Sequence, residues 1–92
     1  METINGDLLI KGNLICGDDG ILEVTGDVTW RFDLAPEGES KERAREAFKD
    51  IPEGDFVLAG RQVLVKGNCW VWGNIIYDWK TYKGHITAGY EK

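Results

Sequence analysis

Apolar and polar positions alternate along this chain on a six-residue frame. Residues 61–78 read RQVLVK GNCWVW GNIIYD, and in each block the third and fifth residues are apolar or aromatic: Val63 and Val65, Cys69 and Val71, Ile75 and Tyr77. Alternation means strand, because successive side chains leave a strand on opposite faces. A short strand followed by a Gly-Asn bend, repeated on a fixed period, marks a repeat architecture. The frame also covers residues 6–17 (GDLLIK GNLICG), 20–31 (GILEVT GDVTWR), 55–60 (DFVLAG) and 84–89 (GHITAG). All eighteen third and fifth positions of the nine blocks are apolar or aromatic, although only 42% of the residues are hydrophobic.

Nine blocks predict a mainly β fold, a short three-sided β-solenoid of about three coils, forming one domain over 1–92. Side one stacks the blocks at Gly6, Gly26 and Gly67, with Leu8, Val28 and Cys69 inside. Side two stacks those at Gly12, Asp55 and Gly73, with Leu14, Val57 and Ile75 inside. Side three stacks those at Gly20, Arg61 and Gly84, with Leu22, Val63 and Ile86 inside. The alternative is an antiparallel β-meander or small barrel plus one helix, since Gly-Asn and Gly-Asp also suit hairpin turns. The solenoid frame keeps every charge off the inner face. The first hairpin of a meander would mix Lys11 with Leu9 and Leu14.

The frame stops for a helical insertion, 32–54. Within SKERAREAFKDIP, Ser40 is placed to cap a helix that ends before Pro52. Ala44, Ala47, Phe48 and Ile51 fall on one helical face, and Glu39 and Arg43 are spaced for a weak ion pair. On side two the outward residues Ile15, Leu58 and Ile76 form an apolar stripe that needs a cover or a partner. The helix is expected to lie over that stripe.

The blocks GDLLIKGNLICG, GDVTWR and GNCWVWGN resemble the Gly-Asp/Asn-apolar repeats of bactofilins and related short β-helical proteins. The resemblance covers about two thirds of the chain. It implies a right-handed three-sided β-helix that self-assembles without nucleotide.

Ninety-two residues with 16 Asp and Glu against 11 Lys and Arg make a small acidic domain. That balance argues against a nucleic-acid binder and permits a basic partner. The charge is uneven: residues 1–32 and 33–55 each carry net −4, and residues 61–92 carry +3. No apolar run is long enough to span a bilayer and no signal peptide opens the chain, so a cytoplasmic location is expected.

Catalytic chemistry finds few carriers. His85 is the only histidine and Ser40 the only serine. Cys16 and Cys69 lack the spacing of a zinc or redox motif and read as small buried hydrophobes. No P-loop is present. Asp18-Asp19-Gly20 with Glu23 lacks the alternating ligands of a calcium loop. No enzyme activity, cofactor or metal is expected.

The aromatics stand out. Trp70 and Trp72 point outward in the solenoid frame, with Trp79, Tyr82 and Tyr90 close in sequence. Outward Trp suits a binding hot spot, a sugar platform, or cover by the 79–83 loop. Together with the charge, this leads to a protein-binding inhibitor resembling small phage-encoded anti-CRISPR proteins in general character. Its carboxylates (Asp18, Asp19, Glu37, Glu39, Glu42, Glu46, Asp50) would act as a DNA mimic in a partner's basic nucleic-acid site. Trp70, Trp72, Trp79 and Tyr82 would anchor the contact. The alternative is a bactofilin-like scaffold subunit joining copies, as a homodimer or longer, through the solenoid ends.

Overall fold

The structure, a computed structural model, describes residues 2–16, 20–77 and 85–91. It is mainly β with one helix. In order, the elements are β1 (Glu2–Ile4), β2 (Leu8–Ile10), β3 (Leu14–Cys16), β4 (Ile21–Thr29), a 3-10 turn (Phe32–Leu34), α1 (Glu39–Phe48), β5 (Phe56–Val57), β6 (Gln62–Val65), β7 (Cys69–Val71), β8 (Ile75–Tyr77) and β9 (His85–Glu91). The sheets do not close: one runs β1-β6-β4-β7-β2 with β9 also on β4, and the other runs β5-β3-β8. Among the described residues every strand pairing is parallel, which an antiparallel meander would not give.

The pairings sort into three stacks; the blocks fall in the stacks expected from the frame, and β1, which the frame did not include, joins the third. In stack one, Cys69 lies between Leu8 and Val28. In stack two, β3 lies between β5 and β8. In stack three, β6 lies between β1 and the first half of β4, and β9 adds beyond β4. The order within each stack is not chain order. Each of these pairings joins a strand from residues 2–29 to a strand from residues 56–91. The two segments alternate like two interleaved threads. The insertion makes this possible. It carries the chain from the end of β4 back to β5, where the second thread begins.

The bends hold the threads in register. The backbone N–H of Asn68 donates to Asp7 Oδ1 at 2.8 Å, and that of Asp27 donates to Asn68 Oδ1 at 2.9 Å. At the next corner Asn13 N–H donates to Asp55 Oδ1 at 2.8 Å, and Asn74 N–H donates to Asn13 Oδ1 at 2.9 Å. In the Gly-Asp and Gly-Asn pairs, the second residues Asp7, Asn13, Asp55 and Asn68 therefore each serve the neighbouring thread. The first must be small. A Cβ on Gly67 would stand 2.7 Å from the Gly6 carbonyl oxygen and 2.6 Å from Asp7 Oδ1.

Leu14, Cys16, Leu22, Val28, Leu58, Val63, Val65, Cys69 and Val71 fill the interior almost without solvent contact. Full burial of one such side chain contributes about 1.5–3 kcal/mol. Among the described residues the frame fails at one block. Leu14 pairs with Phe56, not Val57; Leu58 is buried and Val57 is half exposed. The block opens at Gly54-Asp55, like the other Gly-Asp blocks, rather than at Asp55. The surplus residue is taken up at Gly60, whose φ of +70° suits glycine.

Candidate interaction surfaces

With alternate residues turned inward, each stack presents an outward row whose members the strand register fixes. Row one is Thr29–Trp70–Leu9. Row two is Val57–Ile15–Ile76. Row three includes Thr3, Leu64 and Glu23.

The insertion covers row one, contrary to the expectation that it would cover row two. The chain turns out of β4 at Arg31, which adopts a left-handed φ of 55°, and Phe32 follows at once beside Trp72. Phe32, Ala35, Ala44, Phe48 and Trp70 form a second buried cluster, with Leu9 and Ile51 against it. The Phe32 ring meets Phe48 edge-on at 5.0 Å, meets Trp70 edge-on at 5.8 Å and stacks on Trp72 at 5.3 Å. Trp70 is thereby 8% exposed and Phe48 2%, while Trp72 keeps 43%. So Trp70 faces outward as expected but is covered, and of this pair only Trp72 reaches solvent.

The helix begins two residues earlier than expected. Its N-cap is Gly38 without a side-chain cap, and Ser40 lies inside the helix, exposed. Lys41 was not singled out by the pattern, yet it is buried. Its Nζ donates to the carbonyl oxygens of Ala35 (2.9 Å) and Asp33 (3.3 Å), meets Glu37 at 3.1 Å and lies 5.6 Å from the centre of the Phe32 ring. A four-residue spacing from Glu37 was the available signal. This lysine fastens the 3-10 turn to the helix.

The carboxylates expected to face a basic partner are largely paired within the insertion. Glu37 meets Lys41 and Arg45, Glu39 meets Arg43 at 3.9 Å, Glu42 meets Arg45, and Glu46 meets Lys49 at 3.0 Å. The hydrogen bond from Lys41 holds the Glu37 carboxyl below the usual range. Asp50 is exposed. Asp18, Asp19, Trp79 and Tyr82 lie outside the described residues.

A cleft of about 330 Å³ lies between the insertion and row one, lined by Asp27, Thr29, Ser40, Lys41, Arg43 and Trp70 among others. It holds no pairing of nucleophile and base. Among the described residues no cluster of His, Cys, Asp or Glu is arranged for a metal, and no helix is long and apolar enough to cross a membrane. Cys16 and Cys69 are free and buried. Burial pushes the Cys16 thiol up to about 11 and, with the Asp7 charge as a lesser cause, the Cys69 thiol up to about 12. Both are poor nucleophiles at neutral pH.

Among the described residues, none covers row two. Val57 is 50% exposed and Ile76 42%, with Ile15 half-buried between them. The stripe foreseen on this side is present, with Val57 in the place expected for Leu58.

One end of the stacks is also open. β1, β2 and β5 are outermost in their sheets and pair along one edge each among the described residues. Their interior residues Ile4, Leu8 and Phe56 are only partly buried. Arg61 bridges this end: it binds both Glu2 carboxylate oxygens, at 2.9 and 2.7 Å, and lies 4.4 Å from the centre of the Phe56 ring. The Arg61 hydrogen bond holds the Glu2 carboxyl below its ordinary value.

Compared with protein-family models, curated proteins and solved structures, the chain matches none.

Proposed function

We propose that the protein is a short three-sided β-solenoid of two interleaved threads. Its work is assembly with further copies through its open ends, without catalysis. The observation that carries this reading is the end formed by β1, β2 and β5. Three strand edges there lack partners among the described residues, and the interior behind them is incompletely covered. Unpaired strand edges template further pairing, and repeat folds ordinarily protect their terminal units. The bactofilin-like Gly-Asp/Asn blocks lend the same support.

The Ile4 carbonyl accepts from Lys66 N–H. Because backbone groups alternate sides along a strand, the Thr3 N–H points to the free edge. Thr3→Pro therefore removes an edge donor while sparing the contact with β6. Light scattering and negative-stain microscopy over a concentration series test the reading. The wild type should grow in mass with concentration and Thr3→Pro should grow less. A strict monomer at high concentration overturns it.

The second reading is the inhibitor of a nucleic-acid enzyme. It is favoured by the solvent-exposed carboxylates of α1, since Glu39, Glu42 and Glu46 have side chains 86%, 63% and 72% exposed. Exposed ion pairs are weak, on the order of 0–1 kcal/mol, so a basic groove could compete for them. Mixing the protein with candidate nucleases and finding neither cleavage nor DNA binding altered counts against it.

A further inference from the structure

We propose that the cleft between α1 and row one binds a small zwitterion, a free amino acid, with its carboxylate on the N-terminus of α1 and its ammonium toward Asp27. The proposal does not depend on whether copies join through their ends.

Three observations point to this ligand. First, the helix opens with donors that nothing fills. The first bond within α1 runs from the Glu42 N–H to the Gly38 carbonyl oxygen at 3.0 Å. The N–H groups of Glu39, Ser40 and Lys41 therefore have no acceptor inside the helix. The N-cap is Gly38, and no side chain caps them. All four residues line the cleft. A helix end of this kind carries about half a positive charge and favours a carboxylate.

Second, two buried donors stand on the floor of the same cleft. Thr29 is 7% exposed and Trp70 8%. Both belong to row one, which faces the insertion, and both line the cleft. Among the described residues neither the Thr29 hydroxyl nor the Trp70 indole N–H makes a hydrogen bond. Neither is sealed in, because no enclosed side-chain nitrogen or oxygen lacks a partner. The opening that both residues share is this cleft. A few fixed polar groups set in a mostly buried floor are what orients a small ligand.

Third, the cleft is bipolar. Lys41 holds Glu37 at 3.1 Å, and Arg43 meets Glu39 only loosely, at 3.9 Å. Exposed pairs of that kind are weak, so Arg43 is available to an incoming carboxylate. Asp27 is exposed and meets no cation among the described residues. A cationic helix end and an unpaired carboxylate thus share one cleft. A zwitterion satisfies both, and being neutral it is not repelled by a chain of net −5. A phosphate dianion would face Asp27 and Glu39 with no cation of its own.

Size sets the class further. The cleft of about 330 Å³ stands at the small end of ligand sites, which run from roughly 300 to 1,000 Å³. A second hollow of about 230 Å³ shares Ser40, Arg43 and Trp70 with it and leaves room for a side chain. A single amino acid fits, and a nucleotide does not.

Amide spectra of the isotope-labelled full chain, recorded as L-alanine is added at constant ionic strength, test the proposal. So small a ligand should bind with Kd on the order of 1 mM. Saturable shifts should appear at the Ser40 and Lys41 backbone N–H and at the Trp70 indole N–H. Acetate, which lacks the ammonium, should bind roughly tenfold more weakly, and so should L-alanine to Thr29→Val or Arg43→Gln. Inorganic phosphate should give no saturable shift at these groups. Gly38→Asp offers the helix a carboxylate of its own, and a side chain there meets nothing within 4 Å. This variant should melt no lower than wild type and yet lose L-alanine binding. Lys49→Gln, at the other end of the helix, should bind as wild type does. Thermal melts establish that each variant is folded. Absence of a saturable shift with L-alanine overturns the proposal. Phosphate binding as tightly as L-alanine, or a folded Gly38→Asp that binds like wild type, overturns it equally.

Discussion

The Asn68 N–H donates to Asp7 Oδ1 across sixty-one residues of chain. The same offset relates Leu8 to Cys69 and Leu14 to Ile75 in the sheets. Asn68 in turn accepts from Asp27 through its own Oδ1. Asn68→Ala removes an acceptor at an exposed corner and should cost about 0.5–1.5 kcal/mol. Gly67→Ala forces a methyl against the Gly6 carbonyl oxygen and Asp7, and should cost about 1–3 kcal/mol. Urea melts of both variants check this. Equal, negligible losses would mean that the corners do not hold the threads.

The insertion separates packing from surface charge. Phe48 is buried among Phe32, Trp70, Ala35 and Ala44. Phe48→Ala should cost about 3–5 kcal/mol, a large share of a small domain's stability. Glu46→Ala loses only an exposed pair with Lys49, and should change stability by no more than about 0.5 kcal/mol. Denaturant melts distinguish the two classes.

The insertion links the threads but does not pair them. Cutting the chain between Glu37 and Gly38, both exposed, leaves every strand pairing in place. The two pieces should migrate together on native size exclusion and separate only in denaturant. Pieces that part under native conditions would contradict the alternation of threads.

The cysteines give a pH dependence. Both thiols are raised from an ordinary value of 9.0, to about 11 and about 12. Below pH 9 they are protonated in both folded and unfolded chains and stability is unaffected. Above it the unfolded chain ionises first and binds fewer protons, so stability falls as pH rises through about 9 to 12. Equilibrium melts of wild type and a Cys16→Ala, Cys69→Ala double variant should converge toward alkaline pH. At neutral pH a thiol reagent should modify the native protein far more slowly than the denatured one.

Much of the fold was legible because a strand's period of two is rigid. Once Leu22 and Val63 are assigned inward, their stack membership follows. The thread order was not legible, since every Gly-Asx block looks alike and a ladder works between neighbours from either thread. Val57 falls on the wrong face in the six-residue frame because that frame starts the block at Asp55, although Gly54 precedes Asp55 just as Gly6 precedes Asp7. The helix face was read correctly in Ala44, Ala47, Phe48 and Ile51. Its target was missed because where the insertion leaves the sheet, at Arg31 beside Trp72, decides what it can reach. Burial of Lys41 depends on carbonyl groups of the 3-10 turn, which no residue pattern displays.

Interleaving of the two threads is the central claim, and a nuclear Overhauser spectrum of the labelled protein tests it most directly. Backbone protons on neighbouring strands lie within about 5 Å of each other, given the spacing of sheets. Cys69 should show cross-strand contacts to both the Leu8 and the Val28 regions, and Val63 to both the Glu2 and the Leu22 regions. No backbone contact should join Leu8 directly to Val28. A direct Leu8–Val28 contact, as winding in simple chain order would produce, would contradict the account.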